Sequence, residues 1–142
     1  MIRLDSRLCE PGDCFAGPDV YAPDAQSRGA MHMRTDLITA TQQHRHALRG
    51  IVIAVVGSFA KTTTKDQLAH ALSAYYTVHA THHNQNNELG VPLTLLNARY
   101  DDAFVLVEAG IRKPDDMAYL QPLIQPDWVI LTGFGPVHRE FF

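Results

Sequence analysis

The sequence predicts an α/β protein, in which helices cover both faces of a parallel sheet in three layers, preceded by a short β-rich segment. Residues 51–56 (Ile-Val-Ile-Ala-Val-Val) form an unbroken apolar run. Such a run, rich in β-branched residues, is typical of a strand buried on both faces of a parallel sheet. Strand and helix patterns then alternate through residues 36–142, as in right-handed βαβ units. A glycine-containing turn joins the first strand directly to a helix.

The elements can be justified in order along the chain. Residues 1–16 alternate apolar and polar positions around Pro11-Gly12-Asp13, which predicts two short strands and a turn. Residues 17–34 contain Pro and Gly without periodicity, which predicts a loop or linker and a domain boundary between 1–34 and 35–142. After the boundary we expect helices over 36–49, 61–76, 93–98 and 114–124, and strands over 51–56, 77–80, 103–107 and 128–131.

Composition and charge exclude several classes of protein. The chain has 142 residues, a hydrophobic fraction of 46% and a net charge of −3, so no basic field favours nucleic acid. No apolar run approaches the roughly 20 residues that span a bilayer, and charges interrupt the region where a signal peptide would be apolar. Cys9 and Cys14 lack the second half of a zinc site and are interpreted as free thiols. We therefore expect a cytoplasmic protein that binds neither nucleic acid nor a membrane.

The turn after the first buried strand carries residue types that bind phosphate. Backbone N–H groups and the dipole at a helix N-terminus suit an anion. A lysine there supplies charge to the β- and γ-phosphates of ATP, and the next hydroxyl can ligate Mg²⁺. The predicted ATP- and phosphate-binding residues are Gly57, Ser58, Phe59, Ala60, Lys61, Thr62 and Thr63. Such loops normally carry glycine before the lysine; a Cβ at Ala60 crowds the phosphate or distorts the turn, which leaves nucleotide binding open.

Further motifs follow in a fixed order. The stretch from Val55 to Lys65 precedes Asn84-Gln85-Asn86-Asn87-Glu88-Leu89-Gly90-Val91-Pro92, then Val107-Glu108-Ala109-Gly110, then Gly135-Pro136-Val137-His138. Together they resemble the central ATP-binding domain of the Mur ligase family, most closely its D-Ala-D-Ala-adding (MurF) type. Asp5-Ser6-Arg7 and Pro11 to Phe15 resemble the opening of the family's UDP-sugar-binding domain. Residues 1–34 are accordingly interpreted as a remnant of that domain plus a linker, and 35–142 as part of the central domain.

The resemblance implies an ATP-dependent, amide-forming ligase of peptidoglycan precursor synthesis, with ATP, Mg²⁺ and a UDP-MurNAc-peptide as its small-molecule partners. In the family, a substrate carboxylate attacks the γ-phosphate of ATP, and an amine then displaces phosphate from the acyl phosphate. The resemblance implies catalytic roles for Lys61, Glu108 and His138, Mg²⁺ ligation by Thr62, Glu108 and His138, and places for Asn86 and Asn87 beside the substrate. The family's later metal-bridging lysine and its C-terminal domain have no counterpart in this sequence, so we expect no ligase turnover from the chain alone.

Two other functions stay open at this point. A stand-alone nucleotide-binding or regulatory module would pair with another protein chain that supplies the missing domains. A different P-loop protein, such as a small kinase or ATPase, would have no need of the Asn84 to Pro92 stretch. Folylpolyglutamate and cyanophycin synthetases share the ATP core, but that stretch and Glu108-Ala109-Gly110-Ile111 favour the MurF type.

Overall fold

The computed structural model describes residues 2–3, 6–15, 22–32, 37–112 and 115–135. The strands are β1 (Ile2–Arg3), β2 (Cys14–Phe15), β3 (Met31–His32), β4 (Ile51–Val56), β5 (Val78–Ala80), β6 (Phe104–Glu108) and β7 (Trp128–Leu131). The α-helices are α1 (Ala22–Ser27), α2 (Leu37–Ala47), α3 (Lys61–Ser73), α4 (Gly90–Asn97) and α5 (Asp116–Ile124), and a 3-10 turn spans Ser6–Leu8. No helix of the described residues is long and apolar enough to cross a membrane.

Four strands form the central sheet in the order β5-β6-β4-β7. All three strand pairs are parallel, and Val52 of β4 lies opposite Val105 of β6. The continuous apolar run of β4 makes this strand central, because residues on both of its faces must be kept from water. The α/β fold with a parallel sheet is therefore confirmed, and the predicted strands agree with those observed to within a residue at each end.

Helices cover both faces of this sheet. On one face, Val52 and Ala54 pack with Leu95 of α4 and Leu120 of α5 in the main apolar core, and α2 contacts both of those helices. Ile53 and the residues two positions either side of it point the other way, toward α3, which contacts β4, β5 and β6. The resulting three layers place the connection after β4 and the connection after β6 on opposite faces.

The segment before α2 differs from the expectation. Residues 17–34 were predicted to be a loop, but α1 and β3 lie within that range, so the interpretation is wrong at 22–27 and 31–32. β1, β2 and β3 form a separate parallel sheet of three short strands, and α1 fills the connection between two of them. Among the described side chains of this segment, Ala25 and Ala30 bury against Cys9 and form a small apolar cluster. The predicted turn at Gly12 is present, with φ at +89°.

Helix α3 buries the face that carries Leu68 and Leu72, but the most buried side chain on that face is a lysine. Leu68 and Leu72 are half-buried, whereas Tyr75 and Tyr76, which the predicted helix over 61–76 includes, lie beyond the end of α3 and are exposed. The fully buried side chain of α3 is Lys65, which is 2% exposed. Periodicity located the helix correctly, but it could not find a buried lysine.

The edge strand β7 presents apolar side chains to solvent. Trp128 is 64% exposed and Leu131 is 65% exposed, and Phe134 beyond the strand is 86% exposed. β7 pairs with β4 on one side, and among the described residues no strand pairs with its other side. The sheet thus has one unpaired apolar edge in the described part of the chain.

Candidate active site

The candidate site lies where two neighbouring strands of the sheet lead to helices on opposite faces. β4 continues into α3 on one face, and β6 leads to α5 on the other face. In open α/β sheets such a reversal opens a crevice at the carboxyl ends of the strands, which is where ligands bind. Val55 near the end of β4 lies opposite Glu108 at the end of β6. The turn over residues 57–64, called the phosphate turn below, therefore borders the same crevice as Glu108.

The phosphate turn has a backbone that favours glycine at two positions. Gly57 has φ at +143°, and a Cβ there would fall on the Thr132 hydroxyl. Ala60 has φ at +62° and ψ at +11°, which is the left-handed region, and it directly precedes the first residue of α3. An L-residue pays about 1–2 kcal/mol for this conformation. Alanine in place of the usual glycine at position 60 therefore has an energetic cost, because the backbone there adopts a conformation that favours glycine.

Hydrogen bonds hold the phosphate turn against the segment after β7. The Ser58 amide donates to the Gly133 carbonyl (2.8 Å), and the Ser58 hydroxyl donates to the Gly135 carbonyl (2.9 Å). The Thr132 hydroxyl approaches the Phe59 carbonyl at 2.7 Å. Phe59 itself is 52% exposed and lies over Gly133, where a Cβ would fall on its ring. The turn is therefore shaped by residues about 75 positions later, which no local pattern reveals.

Lys61 lies folded over its own loop. Its ammonium donates to the Gly57 carbonyl at 2.6 Å and reaches the Ser58 carbonyl at 3.5 Å. Alanine has no side-chain acceptor, so Ala60 caps none of the amides in the first turn of α3. Thr62 and Thr63 are exposed at the helix start. The lysine and the two threonines thus lie together at the N-terminus of α3.

Glu108 is a buried carboxylate at the floor of the crevice. It is 1% exposed, and its Oε1 accepts a hydrogen bond of 2.9 Å from the Asn86 amide. Oε2 of Glu108 and Oδ1 of Asn86 are both buried, and neither has a hydrogen-bond partner among the described residues. Burying an acceptor without a donor is costly, so this oxygen pair is suited to a bound donor or cation.

The residue types here fit Mg²⁺. Hard oxygen ligands suit this ion, which is often held by one or two carboxylates together with substrate phosphates and water. The Glu108 carboxylate offers an oxygen of this class, and Thr62 at the start of α3 carries an exposed side chain with a hydroxyl. Over the described ranges, no three His, Cys, Asp or Glu side chains cluster as in an all-protein metal site. An ion held here would accordingly rely on phosphate oxygens.

The two asparagines take different places. Asn86 lies on Glu108, and a Cβ on Gly110 would come within 3.1 Å of the Asn86 side chain. Asn87 instead caps α4, since its Oδ1 accepts from the amides of Leu89 (3.2 Å) and Gly90 (2.9 Å). Asn87 also borders a cavity of about 430 Å³, whose lining includes Gly110, Arg112, Asp116 and Tyr119. Asn86 therefore lies on the carboxylate, whereas Asn87 lies at the start of α4.

His138, predicted to approach a metal ion, lies outside the described residues. The same holds for Pro136 and Val137 of its motif. The segment that leads to it is fixed as far as Gly135 by the contacts with Ser58 described above. Its role stays a prediction.

Comparison with known proteins identifies the family. Residues 55–142 match the Mur ligase middle domain. The chain belongs to the Mur ligase family. It is 41% identical over 87 residues to the UDP-N-acetylmuramoyl-tripeptide–D-alanyl-D-alanine ligase of Synechocystis sp., covering 61% of this chain and 19% of that protein. It is 34% identical over 126 residues to the ligase of the same name from Bacillus subtilis, covering 86% of this chain and 28% of that protein.

Solved structures of Mur ligases share this fold. The D-alanyl-D-alanyl ligase of Acinetobacter baumannii superimposes with a TM-score of 0.80 at 25% identity, over 98% of this chain and 37% of that one. The MurF ligase of Thermotoga maritima in complex with ADP gives a TM-score of 0.71 at 25% identity, over 93% of this chain and 37% of that one. The resemblance to the MurF type is thereby confirmed. The matched part of the chain spans 19% of the Synechocystis ligase and 28% of the Bacillus subtilis ligase.

Sequence reasoning assigned no role to two groups of residues at this Mur ligase site. One is Thr132 and Gly133, which shape the phosphate turn from the end of β7. The other is Lys65 with Thr81, which lie buried behind Glu108. A weak signal existed for both: Thr132-Gly133 directly follows a strand, and Lys65 interrupts the interior of an otherwise ordinary helix.

Proposed function

We propose that this chain binds Mg²⁺-ATP in the crevice between β4 and β6, as the nucleotide-binding part of a ligase that adds D-Ala-D-Ala to UDP-MurNAc-tripeptide. The reaction belongs to peptidoglycan precursor synthesis in the cytoplasm. One observation carries the proposal: the buried Glu108 carboxylate and the lysine-bearing phosphate turn lie at the same carboxyl end of the sheet. Among the described residues, Oε2 of that carboxylate has no hydrogen-bond donor. Anion-binding and cation-binding groups side by side suit a magnesium–polyphosphate ligand.

Each residue of the phosphate turn has a task in this proposal. Lys61 releases its contacts to the Gly57 and Ser58 carbonyls and turns to the β- and γ-phosphate oxygens. The amides at the start of α3 then receive the phosphates, where the helix dipole favours negative charge. Phosphoryl transfer asks mainly for positioning and charge neutralisation rather than covalent help from the protein. Nucleotide binding therefore requires Lys61 to exchange its carbonyl partners for phosphate oxygens.

Thr62 and Glu108 would hold Mg²⁺, and His138 a second ion. When bound, the ion neutralises charge that develops on the transferred phosphoryl group. Glu108 keeps Oε2 directed to that task because the Asn86 amide occupies Oε1 (2.9 Å). We infer that Asn87 and the cavity beside Gly110 border the path of the peptide substrate.

Calorimetry of ATP binding, with and without Mg²⁺, tests the proposal. Wild type is compared with Lys61→Ala, Glu108→Gln and Arg99→Ala. Arg99 is the matched control, because its exposed side chain pairs with nearby Asp101 at 3.1 Å and lies before β6, at the opposite end of the sheet. We expect Lys61→Ala to abolish binding, Glu108→Gln to remove the gain from Mg²⁺, and Arg99→Ala to bind as wild type.

Equal loss in Arg99→Ala and Lys61→Ala would mean that only net charge matters, which contradicts a phosphate site. Absence of binding by a folded wild type would also overturn the proposal. Amide formation from UDP-MurNAc-tripeptide and D-Ala-D-Ala is assayed separately on the same samples, because the chain spans 19% and 28% of the compared ligases. Nucleotide binding without turnover agrees with the proposed role as one part of such a ligase.

A second candidate function is a nucleotide-binding module that pairs with another chain supplying the remaining ligase domains. The exposed apolar edge at β7 favours it, because such edges pair with other strands. Sedimentation of the chain with the separately produced remainder of a MurF-type ligase tests this. A complex that forms with wild type but not with Leu131→Lys supports the module, and independent sedimentation of both parts rejects it.

A further inference from the structure

A lysine is buried directly behind the proposed metal site. Lys65 lies one helical turn after Lys61 in α3 and is 2% exposed. Its ammonium donates to the Thr81 carbonyl at 2.5 Å and pairs with the Asp66 carboxylate at 2.8 Å. Asp66 is largely exposed, with 63% of its side chain accessible, so water weakens that pairing. The buried partner of Lys65 is therefore the backbone of Thr81.

Thr81 in turn fixes the strand end that carries Glu108. Its hydroxyl accepts a hydrogen bond from the Glu108 amide at 2.9 Å. Its own amide donates to the Leu106 carbonyl at 2.9 Å, and the Thr94 hydroxyl lies 3.3 Å from its hydroxyl. Thr81 is 2% exposed. A chain of buried polar contacts thus runs from α3, through Thr81, to the backbone of Glu108.

Holding one carbonyl with a buried lysine has a high free-energy cost. Burying an ammonium is costly unless its surroundings compensate, and an apolar side chain of similar length would pack in the same space. α3 also begins with the phosphate turn. A contact from this helix to Thr81 therefore sets the position of the phosphate turn relative to the carboxylate. Neither Lys61 nor Asn86 makes that connection.

We propose that Lys65 is a positioning residue for the metal site: through Thr81 it fixes Glu108 relative to the phosphate turn, so that Mg²⁺ and phosphate are held at the same time. The proposal rests on the function proposed above. Groups behind a metal ligand typically change metal affinity by about 10- to 100-fold when removed. A purely structural lysine would change stability instead, without a specific effect on Mg²⁺.

The test separates the metal from the nucleotide. ADP binding is measured by calorimetry in chelator and across a series of free Mg²⁺ concentrations, for wild type, Lys65→Met, Lys65→Arg and Thr81→Val. For Lys65→Met we expect the Mg²⁺ midpoint to rise about 10- to 100-fold, with ADP affinity in chelator unchanged. Lys65→Arg keeps the charge and donors and should recover part of the loss. Thr81→Val removes the hydroxyl that accepts from Glu108 and should raise the midpoint as well.

The outcomes are distinct. A folded Lys65→Met variant with the wild-type Mg²⁺ midpoint overturns the proposal, and so does an equal loss of ADP affinity with and without Mg²⁺. If Lys65→Met does not fold, Lys65→Arg and Thr81→Val decide, and a wild-type midpoint in both overturns it. If wild type itself binds no ADP under any condition, the proposed function fails and the role of Lys65 fails with it. Arg99→Ala, which removes an exposed charge, should leave the midpoint unchanged.

Discussion

Replacing Ala60 by glycine should stabilise the protein, although the same replacement in a helix usually destabilises. Ala60 adopts φ +62° and ψ +11° immediately before α3. An alanine in this left-handed region costs about 1–2 kcal/mol, which glycine does not pay. Glycine lowers the free energy of unfolding by about 0.4–1 kcal/mol relative to alanine, because it gives the unfolded chain more conformational freedom. The difference predicts that Ala60→Gly raises the free energy of unfolding by about 0.5–1 kcal/mol.

The assay is thermal and urea unfolding of Ala60→Gly beside Ala71→Gly. Ala71 lies within α3 and is exposed, so the control makes the same chemical change at a right-handed position. We expect Ala71→Gly to lose about 1 kcal/mol. For a chain of this size 1 kcal/mol corresponds to about 2–4 °C in Tm, so the two variants should lie on opposite sides of wild type.

A loss of stability in Ala60→Gly equal to that of Ala71→Gly would refute the reasoning, since Ala60 would then not pay for a left-handed backbone. ADP binding by the same variants addresses the phosphate turn directly. Removing the Cβ beside the helix N-terminus should tighten ADP binding. If Ala60→Gly binds and wild type does not, the alanine impairs the loop as it stands.

Three further changes should have measurable effects. Asn87→Ala should lower the free energy of unfolding by about 1 kcal/mol in urea titrations because α4 loses its cap, whereas Asn87→Asp should keep most of it. Gly133→Ala should cost about 1–3 kcal/mol because its Cβ meets the Phe59 ring; the same loss in a Phe59→Ala background would contradict this. Burial lowers the pKa of His79 below its ordinary 6.5, so the unfolded chain takes up a proton that the folded chain resists. Stability should therefore fall as pH drops below 6.5, and His79→Gln should flatten that decline in a pH series of melts; an unchanged slope would show that His79 is not responsible.

Local patterns predicted most of the central sheet and its helices. The apolar run of β4, the helix start after Gly57 and the order of the motifs each depend on residues close together in sequence. The loop predicted over 17–34 failed at α1 and β3, because two-residue strands and a six-residue helix carry too little periodicity to be recognised. The division into residues 1–34 and 35–142 stays a prediction.

The sequence by itself determined the family, the parallel sheet and the lysine-bearing turn, because these follow from residue types at short spacing. The tertiary structure decided the rest of the site. Only the fold brings Thr132 and Gly133 to the phosphate turn, and only the fold buries Lys65 behind Glu108. Those contacts join residues that are far apart in the chain. Their contribution to stability depends on burial, which cannot be read from any single segment of the sequence.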